Sequence, residues 1–275
     1  MDYRLGIENS SPSVLIAEIG LNHNGSLDLA KTMVAAAASS GATVAKFQTY
    51  LASERVARDH NLFDLLESCE LSVADWLDLK RVCDDEGITF LSTAFGLRSL
   101  ELLREIGMME VKISSFSLTD LGLLEAAIEK RFSLLVSTGA SSWDEITQCN
   151  TLLLEGGANF AFLHCISSYP VASEKDLHLS NITRLKTLTG RRVGFSDHSE
   201  GPEAFFWAAL VGATIFEKHF TTDNSLVGPD QKMSANPEVF RRAVDNVARA
   251  FDVLGESRAA PFVSEMGAIP MRTRS

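Results

Sequence analysis

The sequence predicts a single (β/α)8 barrel of the TIM type. Three observations lead to this fold class: eight short apolar runs with strand character, eight helical stretches that alternate with them, and no break in composition along the chain. A length of 275 residues suits one barrel of this kind. A doubly wound sheet of eight strands is the structural alternative.

The predicted strands are rich in β-branched and aromatic residues and are bounded by turn residues. This pattern is typical of parallel strands that are buried on both faces. In chain order they cover residues 14–18, 43–49, 88–93, 109–114, 133–137, 159–164, 193–198 and 214–220.

The predicted helices occupy residues 27–40, 72–86, 97–106, 121–130, 142–155, 178–188, 201–211 and 237–254. Ser26, Ser72 and Ser142 stand where N-caps are expected, and Glu145 completes a capping box with Ser142. Glycines follow five helix ends, where a left-handed C-cap favours this residue: Gly41, Gly87, Gly107, Gly156 and Gly212. Residues 1–258 are therefore predicted to form the barrel, and residues 259–275 a C-terminal arm or linker remnant.

Composition restricts the partners. The net charge of −11, from 25 Lys+Arg and 36 Asp+Glu, argues against nucleic acid and against an anionic membrane surface. No run approaches the roughly 18 apolar residues of a membrane span, and no apolar segment of a secretion signal follows the N-terminus. The four cysteines form no CxxC pair and are interpreted as buried thiols of a cytoplasmic protein.

The carboxyl ends of the strands carry the candidate chemistry, because active sites of such barrels lie there. All eight ends are polar, and their side chains are Glu18, Lys46 with Gln48, Thr93, Lys112 with Ser114 and Ser115, Ser137, His164, Ser196 with His198, and Glu217 with His219. Any one of them alone would be interpreted as a polar residue at the barrel rim whose hydrogen bonds are made within the protein. All eight together indicate a functional site.

His198 and His219 end neighbouring strands. Side chains alternate along a strand, so Ser196 shares a face with His198, and Glu217 with His219. Two imidazoles with a carboxylate or water suit Mn²⁺, Co²⁺ or Zn²⁺. Spacing alone leaves a metal pair and two hydrogen-bonded rim histidines equally open.

Lys46 and Lys112 end strands two and four, close to several serines of the same rim. Two ammonium groups with hydroxyls make a cradle for phosphate or carboxylate. A Schiff-base lysine and simple salt bridges to Glu18 and Glu217 are the alternatives. No glycine-rich nucleotide motif is present, and Asp230, in the turn after strand eight, is placed to reach over the barrel mouth towards hydroxyl groups.

Eight sequence blocks stand out along the chain, and in chain order they are Ile16-Ala17-Glu18-Ile19-Gly20-Leu21-Asn22-His23-Asn24-Gly25, Lys46-Phe47-Gln48-Thr49, Leu91-Ser92-Thr93-Ala94-Phe95, Ser137-Thr138-Gly139, His164-Cys165-Ile166-Ser167-Ser168-Tyr169-Pro170, Ser196-Asp197-His198, Glu217-Lys218-His219-Phe220 and Gly228-Pro229-Asp230. Together, from about residue 14 to about residue 255, they resemble the N-acetylneuraminate (sialic acid) synthase family. The resemblance implies condensation of phosphoenolpyruvate with an open-chain N-acylated hexose such as N-acetylmannosamine. The products would be a nonulosonic 2-keto sugar acid and phosphate.

The resemblance also implies roles for individual residues. His198 and His219 match the ligands of a divalent metal, most simply Mn²⁺ with Mg²⁺ or Co²⁺ as alternatives. Glu18 and Glu217 match carboxylates near the reacting carbons, and Asp230 matches a contact to the sugar acceptor. Positions that hold phosphoenolpyruvate match Lys46, Lys112, Ser115, Ser137, Tyr169 and Ser196. Thr93 and Ser167 complete the set of candidate substrate-binding residues.

The chain departs from the family pattern at several points. Ser115-Phe116-Ser117 stands where the family has Ser-Gly-Glu, and Ser167 replaces an asparagine. The loop of residues 51–68 is shorter than in the family, and Asn61 is the candidate for its acceptor-binding asparagine. These departures leave the acceptor open.

The family also carries a C-terminal antifreeze-like domain, which lends an arginine to the dimer partner's site. The 275 residues are interpreted as the catalytic barrel without this domain, and the family's pairing predicts a homodimer. A Schiff-base aldolase or lyase using Lys112 or Lys46, and a non-catalytic paralogue that binds sugar or phosphoenolpyruvate, are the competing hypotheses.

Overall fold

The computed structural model describes residues 13–255 and 260–272. Within them, eight parallel strands close into a barrel in chain order, and β8 pairs with β1. The strands are β1 (Val14–Gly20), β2 (Val44–Thr49), β3 (Thr89–Ala94), β4 (Glu110–Ile113), β5 (Ser133–Ser137), β6 (Phe160–Cys165), β7 (Val193–Asp197) and β8 (Ile215–His219). The predicted (β/α)8 barrel is confirmed, and closure of the sheet excludes the doubly wound alternative.

The described residues contain ten α-helices, eight of which correspond to the predicted ones. They are α1 (Leu27–Ser39), α2 (Ala52–Arg55), α3 (Phe63–Ser68), α4 (Val73–Asp85), α5 (Leu97–Glu105), α6 (Leu121–Glu129), α7 (Trp143–Glu155), α8 (Ser180–Thr189), α9 (Glu203–Leu210) and α10 (Pro237–Leu254). The short helices α2 and α3 were not predicted and lie in the connection between β2 and α4. This connection forms part of the barrel mouth.

Helix ends follow the predicted capping chemistry with one exception. Ser26, Ser72 and Ser142 each accept a backbone N–H of the first turn, and Glu145 completes the predicted box. Four of the five glycines have positive φ angles: Gly41, Gly87, Gly107 and Gly212. The prediction for Gly156 was wrong, because this residue keeps a near-helical φ of −74° and the chain turns one residue later.

Alternation along the strands separates two apolar regions. Inward-facing side chains close the lower barrel interior: Val14, Ile16, Val44, Leu91, Leu135, Ala161, Leu163 and Ile215. Outward-facing side chains, such as Phe47 and Phe216, pack in the larger core that includes the surrounding helices. Every second residue of a strand shares a face, so the next inward-facing residue after Ile16 is Glu18 and the next after Ile215 is Glu217. These two carboxyl groups therefore lie directly above the apolar side chains that fill the lower barrel.

A 3-10 helix, Val263–Met271, lies within the predicted C-terminal arm and buries none of its side chains. The predicted boundary after residue 258 lies outside the described residues. Across the described part of the chain, no helix is both long and apolar enough to cross a membrane.

Candidate functional site

A cavity of about 310 Å³ opens at the carboxyl ends of the barrel strands. It brings together twelve of the thirteen candidate site residues: Glu18, Lys46, Thr93, Lys112, Ser115, Ser137, Tyr169, Ser196, His198, Glu217, His219 and Asp230. The strand register explains much of this convergence. Glu18 is paired with both Lys46 and His219, Thr93 with Lys112, and Ser196 with Glu217.

The floor of the cavity is a buried network of alternating charges. Lys46 forms an ion pair with Glu18 and lies 3.6 Å from Glu217 (Nζ to Oε2), while Lys112 Nζ lies 3.5 Å from Glu217 Oε1. Thr93 Oγ1 accepts a hydrogen bond from Lys46 (3.1 Å), and Ser196 Oγ donates one to Glu217 (2.8 Å). Buried charges require such pairing, because their removal from water is otherwise costly.

The two glutamates of this network differ in how they hold a proton. Burial opposes ionisation of Glu217, but Lys112, Lys46 and the Ser196 hydroxyl lower its pKa to about 2. Burial dominates at Glu18 and raises the pKa of this carboxyl despite its contact with Lys46. Glu217 is therefore a permanent anion, and Glu18 is the carboxyl better suited to exchanging a proton.

The two lysines also differ. Burial lowers the pKa of Lys112 against the opposing effect of Glu217. At Lys46, burial is outweighed by two carboxylates, Glu18 and Glu217, which raise the pKa. Both ammonium groups are inside the same cavity, where a phosphate or carboxylate would find charge-assisted donors.

Hydroxyl groups with free bonding capacity lie in the cavity wall and directly behind it. Ser137 Oγ and Ser167 Oγ are buried without a hydrogen-bond partner among the described residues. Ser115 Oγ accepts a hydrogen bond from the backbone N–H of Gly139 (3.0 Å). A Cβ built on Gly139 would lie 2.3 Å from Ser167 Oγ and 2.9 Å from Ser115 Oγ, so the absence of a side chain there keeps these hydroxyls in place.

The histidine pair lies at the rim. The ring centroids of His198 and His219 are 5.5 Å apart, and the Tyr169 ring lies 4.2 Å from His198 and 6.2 Å from His219. His198 Nδ1 is 2.8 Å from the carbonyl oxygen of Ile166, the contact by which a backbone carbonyl orients a metal-binding imidazole. Burial lowers the pKa of His219 far below its usual value, which keeps this imidazole in the neutral form that binds metals.

These groups fit a divalent metal, provided that other ligands complete its shell. His219 Nδ1 is buried without a hydrogen-bond partner among the described residues and lies 3.8 Å from Asp230 Oδ2. The same residues contain no group of three or more His, Cys, Asp or Glu side chains arranged around one metal position. Two imidazoles alone bind a metal weakly, so substrate and water oxygens would have to supply the remaining ligands.

Three residues singled out from the sequence lie elsewhere. Ser167 does not line the cavity and stands behind Gly139, and Asn61 is exposed between α2 and α3. His164 is the last residue but one of β6 and faces the helices, because Leu163 and Cys165 take the inward positions. Its Nε2 is 2.7 Å from the Leu177 carbonyl oxygen and its ring stacks on Phe195, which is a structural role.

The cavity also contains residues to which the sequence prediction gave no role. Cys165 Sγ lies 3.8 Å from His198 Nδ1 on the inward face of β6. Gln48 Nε2 donates to Glu18 Oε1 (3.0 Å), and Arg55 donates to Gln48 Oε1 (3.0 Å). Strand alternation with Lys46 places Gln48 among the polar strand ends without a role, whereas no periodicity marks Arg55 at the end of the short helix α2.

A (β/α)8 barrel with a charged, hydroxyl-rich cavity at the carboxyl ends of its strands is the class of protein that this fold and site define. The profile of the NeuB family matches residues 33–259. The chain belongs to the NeuB family, which confirms the resemblance to the sialic acid synthases.

Three relatives show how far this similarity extends. N,N'-diacetyllegionaminic acid synthase of Legionella pneumophila is 34% identical over 277 residues, covering 94% of this chain and 78% of that protein. An uncharacterized protein of Methanocaldococcus jannaschii is 36% identical over 270 residues, covering 98% of this chain and 80% of that protein. The crystal structure of N-acetylneuraminic acid synthetase from Leptospira borgpetersenii, in complex with citrate, has a TM-score of 0.91 at 36% identity and covers 95% of this chain and 92% of that one.

Proposed function

We propose that this protein condenses phosphoenolpyruvate with the aldehyde of an open-chain N-acylated hexose, giving a nonulosonic 2-keto sugar acid and phosphate. The observation that carries the proposal is one cavity lined by two sets of groups. Lys46, Lys112 and serine hydroxyls suit phosphoenolpyruvate, and His198, His219 and Asp230 suit a polyhydroxylated aldehyde. Family membership and the sialic and legionaminic acid synthases among its relatives support the same reaction.

The charged floor would hold phosphoenolpyruvate and stabilise the charge that develops during the reaction. Lys46 and Lys112 neutralise the phosphate and carboxylate, and hydroxyls such as Ser115 and Ser137 donate to their oxygens. Glu217 stays ionised and holds both ammonium groups in position. These contacts orient the enol carbon towards the aldehyde and limit its approach to one direction.

The bond changes balance as follows. The enol carbon C3 attacks the aldehyde carbon, the aldehyde oxygen takes up a proton from solvent, and the resulting cation at C2 is captured by water. Glu18, with its raised pKa, is the group proposed to take the proton from that water. The tetrahedral intermediate then breaks its C2–O bond to phosphate and passes the proton of its C2 hydroxyl to the departing phosphate, leaving the 2-keto acid, while the lysines stabilise the departing anion.

A divalent metal of the Mn²⁺ type, with Mg²⁺ or Co²⁺ as alternatives, would be held by His198 and His219. When bound, it supplies a Lewis acid that polarises the aldehyde. Tyr169 and Asp230 lie beside this pair, where hydroxyl groups of the sugar would pass. The oxygens of the Asp230 carboxyl can accept hydrogen bonds from these hydroxyl groups, and burial raises the pKa of this carboxyl while Arg55 opposes the rise.

The decisive experiment measures phosphate release from phosphoenolpyruvate with Mn²⁺ and a panel of N-acyl hexosamines, with and without a chelator. Release that needs both an acceptor and a metal would support the proposal. The K112M variant replaces a buried cation and should release no phosphate. The K175M variant replaces an exposed lysine and should release phosphate at the wild-type rate. A stable adduct after borohydride treatment with a keto acid would instead indicate a Schiff-base aldolase, and binding without turnover a non-catalytic paralogue.

The proposal includes a cytoplasmic homodimer. The described cysteines, Cys69, Cys83, Cys149 and Cys165, are all buried and free, as expected in a reducing compartment. Sedimentation of the purified chain tests the oligomeric state, and a monomer at micromolar concentration would contradict the dimer.

A further inference from the structure

Arg55 ends α2 and lines the cavity from the connection between β2 and α4. Its guanidinium lies 4.2 Å from the centroid of the Phe95 ring and 5.0 Å from that of Tyr50. One guanidinium N–H donates a hydrogen bond to Gln48 Oε1, which fixes the orientation of the planar guanidinium group relative to the floor of the cavity. This is the only hydrogen bond of the Arg55 side chain among the described residues, although a guanidinium carries five donors.

The charges around Arg55 favour a neutral partner over a second anion. Asp230 and Glu18 line the same cavity, and their negative charge attracts the guanidinium. No ion pair within 4.0 Å joins it to either of them in the described structure. An anionic substituent placed against Arg55 would meet Asp230, whereas an amide carbonyl accepts hydrogen bonds without that repulsion.

The cavity that Arg55 lines also has an apolar wall. Its members are Val56, Leu62, Leu65 and Phe116. Leu62 and Leu65 remain 45% and 38% exposed, and Phe116 is 70% exposed. Large apolar side chains left uncovered at the mouth of a polar cavity suit an alkyl group of the ligand.

We propose that Arg55 and the apolar wall together bind an N-acyl substituent of the acceptor sugar. The guanidinium donates to the acyl oxygen, and the alkyl part of the acyl group packs on the wall. Arg55 is thus a specificity-determining residue, which selects an acylated amine over a free amine or a hydroxyl at the same carbon. The inference rests on the proposed function for the identity of the acceptor and extends it to the residue that recognises the acyl group.

The test compares wild type with R55M, R55K and R58M. Arg58 belongs to the same connection and stacks on Phe63, but it is exposed and does not line the cavity, so R58M is the matched control. R55K keeps the charge and loses the planar guanidinium group, and far-ultraviolet circular dichroism verifies that each variant is folded. Binding of N-acetylmannosamine, N-butanoylmannosamine and mannose is measured by saturation-transfer nuclear magnetic resonance, which needs no turnover.

The expected result is that wild type and R58M prefer N-acetylmannosamine to mannose by roughly 10- to 100-fold, as one hydrogen bond to a charged donor allows. R55M should lose this preference, R55K should lose most of it, and the N-butanoyl sugar should bind at least as tightly as the N-acetyl sugar. An equal preference in R55M and wild type would overturn the inference, as would a wild type that does not distinguish the sugars.

Phosphate release measured in parallel separates this inference from the proposed function. Arg55-dependent binding of the acyl sugar without any release would support the assignment of Arg55 and contradict the synthase reaction. Normal release with an unchanged sugar preference in R55M would leave the synthase reaction standing and overturn the assignment of Arg55.

Discussion

Glu18 and Glu217 are identical side chains whose pKa values differ because their neighbours differ. Both are buried and both contact Lys46. Glu217 has in addition Lys112 and the Ser196 hydroxyl, and these contacts hold its pKa near 2. Glu18 forms an ion pair with Lys46 alone among the described residues, so burial prevails and its raised pKa leaves it as the group that can pass a proton. The sequence identifies both residues, but only their contacts distinguish the roles.

Gly139 provides a direct test of the proposed phosphate site. Gly139→Ala would place a methyl group against Ser167 Oγ, Ser115 Oγ and Cys165 Sγ, all within 3.0 Å. Displacement of these groups should weaken binding of phosphoenolpyruvate by about tenfold or more, since a lost hydrogen bond costs about 1.5 kcal/mol. Calorimetric titration measures the affinity.

Gly122→Ala is the control for this prediction. Gly122 lies in α6, where an added Cβ would have only an ordinary contact with Asp120. The affinity of the Gly122→Ala variant for phosphoenolpyruvate should equal that of wild type. Unchanged affinity in Gly139→Ala would show that the hydroxyls around Gly139 do not hold the ligand.

His23 predicts a specific pH dependence of stability. Burial lowers its pKa from 6.5 to about 4, and its Nδ1 accepts a hydrogen bond from the Gly25 N–H (3.1 Å). The unfolded chain binds a proton near pH 6.5 and the folded chain only near pH 4, so the free energy of unfolding falls as the pH drops between these values. At 1.36 kcal/mol per pH unit, this contribution amounts to about 3 kcal/mol.

His23→Asn removes the titrating group while keeping an acceptor for Gly25. Urea denaturation at several pH values should show the advantage of wild type over this variant shrinking by about 3 kcal/mol from pH 6.5 to pH 4. His178→Asn, at an exposed position with a left-handed φ of 47°, should follow the wild-type curve. A constant difference between wild type and His23→Asn would contradict the prediction.

At the scale of elements, Asp197 and Lys218 join the ends of β7 and β8 on the side away from the cavity. Lys218 Nζ lies 2.6 Å from Asp197 Oδ2 and donates to the Ser199 carbonyl oxygen (2.5 Å), and both side chains are buried. His198 and His219 follow these residues directly in the chain. The pair therefore fixes the strand ends from which the two imidazoles project.

Removal of one partner of the Asp197–Lys218 pair should lower the free energy of unfolding substantially. Lys218→Met leaves a buried carboxylate without its cation, and the expected loss in the free energy of unfolding is about 3–5 kcal/mol. The double variant Asp197→Asn with Lys218→Met should recover part of that loss. Arg242→Met is the control, because the Arg242–Glu203 pair is more than half exposed and should contribute less than about 1 kcal/mol.

The elements show what the sequence could and could not predict. Long periodic stretches and strand alternation are repeated, local patterns, so all eight strands, eight helices and the inward faces of β7 and β8 were predicted correctly. The helices α2 and α3 have only 4 and 6 residues, too few to display a helical period. For the same reason Arg55, at the end of α2, was missed, since its place in the cavity follows from packing on Phe95 and Tyr50.

At the scale of the whole molecule, the protein is strongly acidic but has several basic side chains in its cavity. The chain carries a net charge of −11, yet the cavity contains Lys46, Lys112 and Arg55. An anionic substrate would be repelled by most of the surface and held only where these cations are concentrated. Two of the three have carboxylate partners within 4.0 Å, so these carboxylates offset much of the positive charge in the cavity.

The last prediction concerns removal of the proposed metal. A ligand that binds only the folded state stabilises it by about 2.7 kcal/mol at 100 times its dissociation constant, so Mn²⁺ should raise the melting temperature of the metal-free protein by several degrees, and a chelator should reverse this. His198→Gln and His219→Gln should abolish the shift, because one imidazole cannot hold the ion. His60→Gln, at an exposed position outside the cavity, should keep it. A shift that survives loss of both cavity histidines would locate the metal elsewhere and leave the pair as hydrogen-bonded rim residues.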